Sequence, residues 1–134
     1  MNTKSNRIFH IILWIFQILL ATMYLMAGGT KLFQSIEQLT PMLSWVANTP
    51  LGMVRFIGLS EVLGGFGLLL PSLLRIQPKL TYWAAVGLAL IQLLAIGFHL
   101  SRGEVSVVGF NFILLALAGF IAWGRSQKVP ILPK

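Results

Sequence analysis

The chain has 134 residues, 57% of them hydrophobic and 10% charged, and its mean hydropathy is +0.85. Soluble domains carry about 25% charged residues, so this composition excludes a water-soluble globular protein. The formal net charge of +7 suits the anionic surface of a lipid bilayer, and we predict no nucleic-acid partner.

Four apolar segments are each long enough to cross the hydrocarbon core of a bilayer, which takes about 20 residues in a helix. They run over residues 8–28, 53–70, 80–100 and 105–123. We therefore predict an all-α membrane protein in which residues 1–134 form a single membrane domain, an antiparallel four-helix transmembrane bundle. The first segment is longer than the apolar core of a secretory signal, about 7 to 15 residues, and it has no clean Ala-x-Ala cleavage site. We expect it to remain in the mature protein.

The loop between the first two predicted spans, residues 31–51, has an apolar pattern of its own; the orientation predicted from the basic residues makes it an outer loop. Its apolar residues recur at helical spacing: Leu32, Ile36, Leu39, Leu43 and Val46. Trp45 suits the headgroup layer of a membrane. We predict a short amphipathic helix on the outer surface, broken at Pro41, which would act as a lid over the bundle. A connecting loop with no further role is the alternative.

Basic residues are distributed unevenly between the two ends of the predicted bundle. One end would carry Lys4, Arg7, Arg75, Lys79, Arg125, Lys128 and Lys134. The other would carry Lys31, Arg55 and Arg102, together with all three acids, Glu37, Glu61 and Glu104. The positive-inside rule assigns the more basic end to the cytoplasm. We therefore predict that both termini are cytoplasmic.

Glu61 interrupts the second apolar segment. An ionisable group near the bilayer centre costs roughly 2.5 to 3.5 kcal/mol on insertion scales, so we expect Glu61 to point into the bundle. Polar residues also mark one face of every other span: Gln17, Tyr24 and Lys31 in the first, Gln92 and His99 in the third, and Asn111 in the fourth. Such faces predict helix–helix contacts in lipid.

Most of these charged and polar residues are predicted at similar depths, in the outer halves of their helices. At about 1.5 Å per residue, Glu61 lies about 12 Å from the outer start of its span and Asn111 about 9 Å from the start of its own. Lys31, Arg55 and His99 lie near the outer ends of their helices. We therefore predict a polar pocket in the outer half of the bundle.

Two sets of site residues are predicted in this pocket. The candidates for proton transfer are Glu61 and His99, and the candidates for ligand binding are Lys31, Arg55, Tyr24, Gln92 and Asn111. Each has a structural alternative: the acid would fix helix packing, the bases would extend to the interface, and the others would hydrogen bond between helices. No metal site is predicted, and His10 lies in the inner half of the first span, far from His99, which argues against haem ligation by both histidines of one chain.

The chain contains no cysteine. This excludes a thiol nucleophile, a disulfide relay and any cysteine-bound cofactor. A redox role would depend on another cofactor or on a partner protein. The sequence does not specify that cofactor, and a quinone or a lipid is the candidate ligand.

Several motifs, taken in order, resemble the DoxX-like family. They are Ala27-Gly-Gly-Thr-Lys31-Leu, Gly58-Leu-Ser-Glu61-Val-Leu-Gly-Gly65 with Leu68-Leu-Leu-Pro71 after it, His99 and Asn111. The resemblance covers residues 8 to 123 and implies a small four-helix protein of the bacterial cytoplasmic (inner) membrane. The broader DoxX and DoxD group includes a subunit of a thiosulfate:quinone oxidoreductase and members proposed to join membrane redox complexes. The resemblance therefore implies a membrane subunit associated with a quinone- or thiol-linked oxidoreductase.

Three functions are compatible with the sequence. In the first, the outer pocket holds a quinone headgroup or another small polar molecule. In the second, the chain is a non-catalytic assembly subunit that docks a membrane redox partner protein. A small-solute or proton transporter ranks last, because the inner halves of the spans are apolar apart from Gln17. Besides the lipid bilayer, a homo-oligomeric partner stays open.

Overall fold

The structure, a computed structural model, describes residues 3–134, so the first two residues of the predicted domain lie outside the described part. Five α-helices occur in chain order: α1 Thr3–Phe33, α2 Ile36–Leu39, α3 Leu51–Leu74, α4 Lys79–Ser101 and α5 Val105–Trp123. A 3-10 helix, Ser44–Asn48, follows α2, and a π-helical turn, Gly124–Lys128, follows α5. The described residues contain no β-strand.

Helices α1, α3, α4 and α5 are long and apolar enough to cross a membrane. Short connections make neighbouring helices antiparallel, and α5 returns to pack against α1. The predicted all-α fold, a four-helix transmembrane bundle, is confirmed. We call the end with α2 and the α4–α5 turn the loop end, and the end with both chain termini and the α3–α4 turn the terminal end.

The helices extend beyond the predicted apolar spans. Helix α1 has 31 residues, which corresponds to about 46 Å, whereas the hydrocarbon core is about 30 Å thick. Helix α3 continues through Pro71 to Leu74, and the turn to α4 is made by Arg75 and Gln77 with positive φ angles of 56° and 49°. Hydropathy locates only the apolar part of a helix. Pro71 lies inside α3 and cannot donate the backbone hydrogen bond that the carbonyl oxygen of Gly67 would otherwise accept.

Two glycines allow α1 and α3 to approach closely at the loop end. A Cβ atom added to Gly28 would lie 2.6 Å from the carbonyl oxygen of Gly58, and one added to Gly58 would lie 2.8 Å from the carbonyl oxygen of Gly28. Both distances are too short for any side chain. The helices therefore cross with backbone against backbone, as small residues permit in lipid.

The middle of the bundle is an apolar core. Its fully buried members come from all four long helices and include Leu20, Ala21, Tyr24, Leu68, Ala85, Leu88, Ala118 and Ile121. Lipid provides no hydrophobic drive between helices, so tight packing of these side chains is what holds the bundle together.

The first loop carries a smaller apolar cluster. Leu39 of α2 and Val46 of the 3-10 helix are buried against Val54 of α3. Trp45 makes an edge contact with Phe98 of α4, with ring centroids 6.0 Å apart. The predicted amphipathic segment is thus present as two short helices, and the chain between them includes Pro41. The loop packs on the loop end of both α3 and α4.

Candidate functional site

A buried ion pair joins α1 to α3. Lys31 Nζ lies 2.7 Å from Glu61 Oε1, and the two residues are only 8% and 5% exposed. Each follows by three residues one of the glycines at the helix crossing, Gly28 and Gly58, so the close approach brings the two side chains together. A single buried charge is costly, and the pairing offsets the desolvation of both groups.

Arg55 fastens the end of α1. Its Nη1 donates hydrogen bonds to the carbonyl oxygens of Lys31 and Gln34, both at 2.7 Å. Lys31 lies in the last turn of α1 and Gln34 directly follows the helix, so no further turn can supply partners for these carbonyls. Arg55 therefore holds the backbone of Lys31 rather than contacting Glu61.

Tyr24 and Gln92 form a second polar contact, between α1 and α4. Gln92 Nε2 donates to the Tyr24 hydroxyl oxygen at 2.6 Å, and Tyr24 lies within electrostatic range of Glu61. Gln92 Oε1 is buried and accepts no hydrogen bond from the described residues. Asn111, 8% exposed, likewise has no hydrogen-bond partner in residues 3–134. An unpaired buried acceptor is costly, so Gln92 can accept a hydrogen bond from a ligand or from water.

His99 belongs to a separate cluster at the turn between α4 and α5. Its Nδ1 lies 3.1 Å from Glu104 Oε1, to which Arg102 Nε also donates at 2.8 Å. The hydrogen bond from His99, aided by Arg102, holds the pKa of Glu104 below its usual value. Within the described residues no hydrogen bond or ion pair joins His99 to the pair of Lys31 and Glu61.

A groove opens beside the buried ion pair. It has a volume of about 310 Å³ and is lined by Met23, Met26, Ala27, Thr30 and Lys31 of α1 and by Met42 and Leu43 of the first loop. Apart from the Thr30 hydroxyl and the Lys31 ammonium, the lining side chains are apolar. We call this cavity the loop-end groove.

Comparison with known families identifies the group to which this arrangement belongs. A model of the DoxX-like family matches residues 15–121, a range that includes all seven predicted site residues. The chain belongs to the DoxX-like family. The resemblance seen in the sequence is thereby confirmed. No curated protein and no solved structure matches the chain.

The terminal end of this DoxX-like protein contains a polar cluster that the sequence analysis missed. Arg125, one of the seven residues predicted at the more basic end, is only 6% exposed. Its Nε donates to Gln17 Oε1 at 2.7 Å, and its Nη1 lies 2.9 Å from His10 Nδ1. Gln17 Nε2 in turn donates to the carbonyl oxygen of Leu68 at 2.6 Å. The cluster thus joins α1, α3 and the turn after α5.

The signal for this cluster was present in the sequence. His10, Gln17, Tyr24 and Lys31 recur every seven residues along one face of α1. Arg125 likewise follows the buried Ala118 by seven residues. A seven-residue repeat is two helical turns, so these residues face the same neighbours as the predicted site residues.

An apolar layer separates the two polar regions. Gln17 and Tyr24 are about 10 Å apart along α1 at about 1.5 Å per residue. The space between them belongs to the buried core around Leu20, Ala21 and Leu88. The described residues therefore form no continuous polar path through the bundle.

Proposed function

We propose that this DoxX-like protein is a membrane subunit associated with an oxidoreductase and that its loop-end groove binds a quinone or a similar amphipathic molecule. The proposal rests on Lys31, which belongs both to the buried ion pair and to the lining of the loop-end groove. Its ammonium group is paired with buried Glu61, and the same residue lines a groove whose other walls are almost entirely apolar. Such a combination suits a polar head with an apolar body.

The proposed redox chemistry depends on the N–H donors of Lys31 that Glu61 does not use. An ammonium group has three N–H donors, and Glu61 Oε1 accepts one of them at 2.7 Å. A further donor can bind a carbonyl oxygen of the ligand and stabilise the negative charge that reduction would place there. Glu61 would take up a proton from the loop end and pass it to the reduced oxygen of the ligand. Electrons would come from a cofactor or from a partner protein, because the chain has no cysteine thiol to supply them.

The other predicted site residues have supporting roles in this proposal. Arg55 would act as a positioning residue, since it holds the helix end that carries Lys31. Tyr24, Gln92 and Asn111 do not line the groove and would instead hydrogen bond to one another or to water on the bundle side of the pair. His99, paired with Glu104, would exchange protons with the aqueous phase at the loop end.

Orientation forms part of the same proposal. The terminal end carries seven of the ten basic residues and none of the three acids, so the positive-inside rule directs it to the cytoplasm. The loop-end groove would then open toward the outer leaflet of a bacterial inner membrane. A quinone could enter the groove from that leaflet.

Photolabelling tests the proposal directly. The purified chain in neutral lipid nanodiscs is irradiated with a photoreactive short-chain quinone, and the labelled peptides are mapped. We expect labelling of Met23, Met26 or Met42, competition by unlabelled quinone, and about tenfold less labelling in Lys31→Met, because one hydrogen bond to a charged group is lost. Lys128→Met, the same change at the terminal end, is the control and should label as the wild type does.

Two outcomes would contradict the proposal. Labelling that unlabelled quinone does not reduce, or equal labelling in Lys31→Met and Lys128→Met, would show that the groove does not select the ligand through Lys31. The ion pair would then be structural, and the non-catalytic assembly subunit would become the better description. The apolar layer between Gln17 and Tyr24 argues against the transporter hypothesis.

A further inference from the structure

The buried Arg125 has no acid near it. Its partners at the terminal end are all neutral: the Gln17 amide, the His10 ring, the Val129 carbonyl oxygen at 3.0 Å and the face of Trp14 at 5.6 Å. Its Nη2 is buried and has no acceptor in the described part of the chain. A buried guanidinium without a counter-charge is costly, so an anion nearby would stabilise it.

No acidic side chain of the chain lies close enough to supply that anion. The acidic side chains are Glu37, Glu61 and Glu104. Glu37 is in α2, Glu61 is paired with Lys31, and Glu104 is paired at the turn between α4 and α5, all away from the terminal end. The guanidinium of Arg125 is therefore open to compensation by an anion from another molecule.

A groove lies beside the cluster. It has a volume of about 420 Å³, and its lining residues are His10, Trp14, Ser72, Leu73, Arg75, Pro130, Ile131 and Leu132. We call it the terminal-end groove. His10 and Trp14 belong both to this lining and to the immediate surroundings of the Arg125 guanidinium. The groove is therefore separated from the buried charge by one layer of side chains.

The lining offers hydrogen-bond donors that the protein leaves unused. Because a guanidinium can only donate, His10 Nδ1 must accept from Arg125, and the proton of the neutral ring lies on Nε2. That Nε2 has no partner in residues 3–134. Arg75 uses only its Nε, which donates to the carbonyl oxygen of Leu132 at 2.8 Å. Its two terminal nitrogens remain available to an oxyanion.

The remaining lining is apolar, mainly Trp14, Leu73, Ile131 and Leu132. Exposed Trp83 and Trp123 belong to the same end of the bundle, and tryptophan is enriched at the headgroup level of membranes. A groove with donors for an anion and walls for hydrocarbon, at the depth of the headgroups, matches the phosphate and the adjoining glycerol region of a phospholipid.

We infer that the terminal-end groove is a specific site for an anionic phospholipid, whose phosphate is bound by His10 Nε2–H and the free nitrogens of Arg75 beside the uncompensated charge of Arg125. Arg125 Nη2 is itself covered by protein, so Arg125 does not contact the phosphate. Its positive charge attracts the phosphate through space, and its hydrogen bond to His10 Nδ1 keeps the His10 proton on Nε2. His10 and Arg125 lie outside the residues that the family model matches. The site is independent of the loop-end groove and of the function proposed for it.

Native mass spectrometry of the full chain tests this inference. The protein is released from nanodiscs of phosphatidylcholine with added phosphatidylglycerol, or with added galactosyl diacylglycerol, which has no phosphate. We expect one phosphatidylglycerol to be retained at least tenfold more than the galactolipid. Arg125→Gln and Arg75→Gln should each lower that retention by about tenfold, because each removes a charge from the site.

Matched controls keep the result interpretable. Lys79→Gln removes one positive charge from the same end of the bundle at an exposed position that is not part of the groove, and it should retain lipid as the wild type does. If the buried change Arg125→Gln prevents folding, the exposed change Arg75→Gln decides the question. Inorganic phosphate is added in a separate arm to distinguish a free oxyanion from a lipid.

Three results would overturn the inference. Equal loss of lipid retention in Lys79→Gln and Arg75→Gln would show that the lipid is held by general charge attraction and not by a specific site. Equal retention of the galactolipid would show that phosphate is not recognised. Binding of inorganic phosphate without any preference for phosphatidylglycerol would assign the site to a free oxyanion instead.

Discussion

The contribution of a charged residue to the stability of this bundle depends on the apolar surroundings in which it is buried. Lys31 and Glu61 are both nearly fully buried and 2.7 Å apart, so each is the main compensation for the charge of the other. Near water the same contact would contribute little, because solvent would screen it. In the bundle the loss of one partner leaves an isolated charge.

A double-mutant cycle tests this dependence. We expect Lys31→Met and Glu61→Gln each to lower the free energy of unfolding by about 3 to 5 kcal/mol, since each leaves the other charge unpaired. The double variant should recover most of that loss. The measurement is unfolding of the purified protein in mixed micelles of increasing denaturing detergent. Additive losses in the double variant would contradict the pairing.

Arg125 shows what a residue-by-residue interpretation of the sequence misses. The spacing of Gln17, Tyr24 and Lys31 is enough to predict a polar face on α1, but Arg125 follows the last apolar span and is predicted only as part of the basic end. Its burial depends on the C-terminal segment continuing in a helical turn, Gly124–Lys128, which hydropathy does not report. For His99, spacing located the helix end correctly but could not show that Glu104, five residues later, would be its partner.

At the scale of helices, the crossing of α1 and α3 determines where the candidate site forms. Gly28 and Gly58 place the two backbones in contact, and the ion pair lies three residues beyond each glycine. The sequence predicted a polar face on α1 and an inward-pointing Glu61 on α3. It could not show which glycines meet, because the relative height of two helices depends on the lengths of the loop and of the helices themselves.

A substitution at this crossing should separate the helices. Gly58→Ala would place a Cβ atom 2.8 Å from the carbonyl oxygen of Gly28, a backbone atom that cannot turn aside. We expect lower thermal stability and a weaker bond between Lys31 and Glu61, seen as lower quinone labelling if the proposed site is correct. Gly97→Ala in α4 is the control, because no atom lies within 4 Å of its added Cβ.

The control should be neutral or slightly stabilising, since alanine favours a helix by about 1 kcal/mol over glycine. Stability equal to the wild type in Gly58→Ala would show that the two backbones are not in contact. A loss of stability in Gly97→Ala of similar size would point to a general intolerance of glycine replacement instead.

At the scale of the whole molecule, charge and polarity are divided between two ends. The loop end has all the acids and the loop-end groove, and the terminal end has seven basic residues and the terminal-end groove. The apolar core lies between them. Composition was sufficient to predict the four spans, since the bilayer sets their length. The grooves depend on how the loops pack and could not be derived from spacing.

The absence of cysteine allows a clean test of topology. Single cysteines are introduced at exposed Ser101, at the loop end, and at exposed Ser126, at the terminal end. In intact spheroplasts we expect a membrane-impermeant maleimide to label Ser101→Cys, and to label Ser126→Cys only after the membrane is opened. Labelling of both in intact spheroplasts, or the reverse pattern, would contradict cytoplasmic termini.

Arg55 links the last turn of α1 to its neighbour. Because a side chain of α3 holds the carbonyl oxygens of Lys31 and Gln34, this helix end is not free to fray as an ordinary C-terminus does. Local opening there requires that Arg55 first release both carbonyl oxygens. We therefore expect amide hydrogen exchange in that turn to be slower than at an ordinary helix end, so one stretch of backbone reports how firmly α3 holds α1.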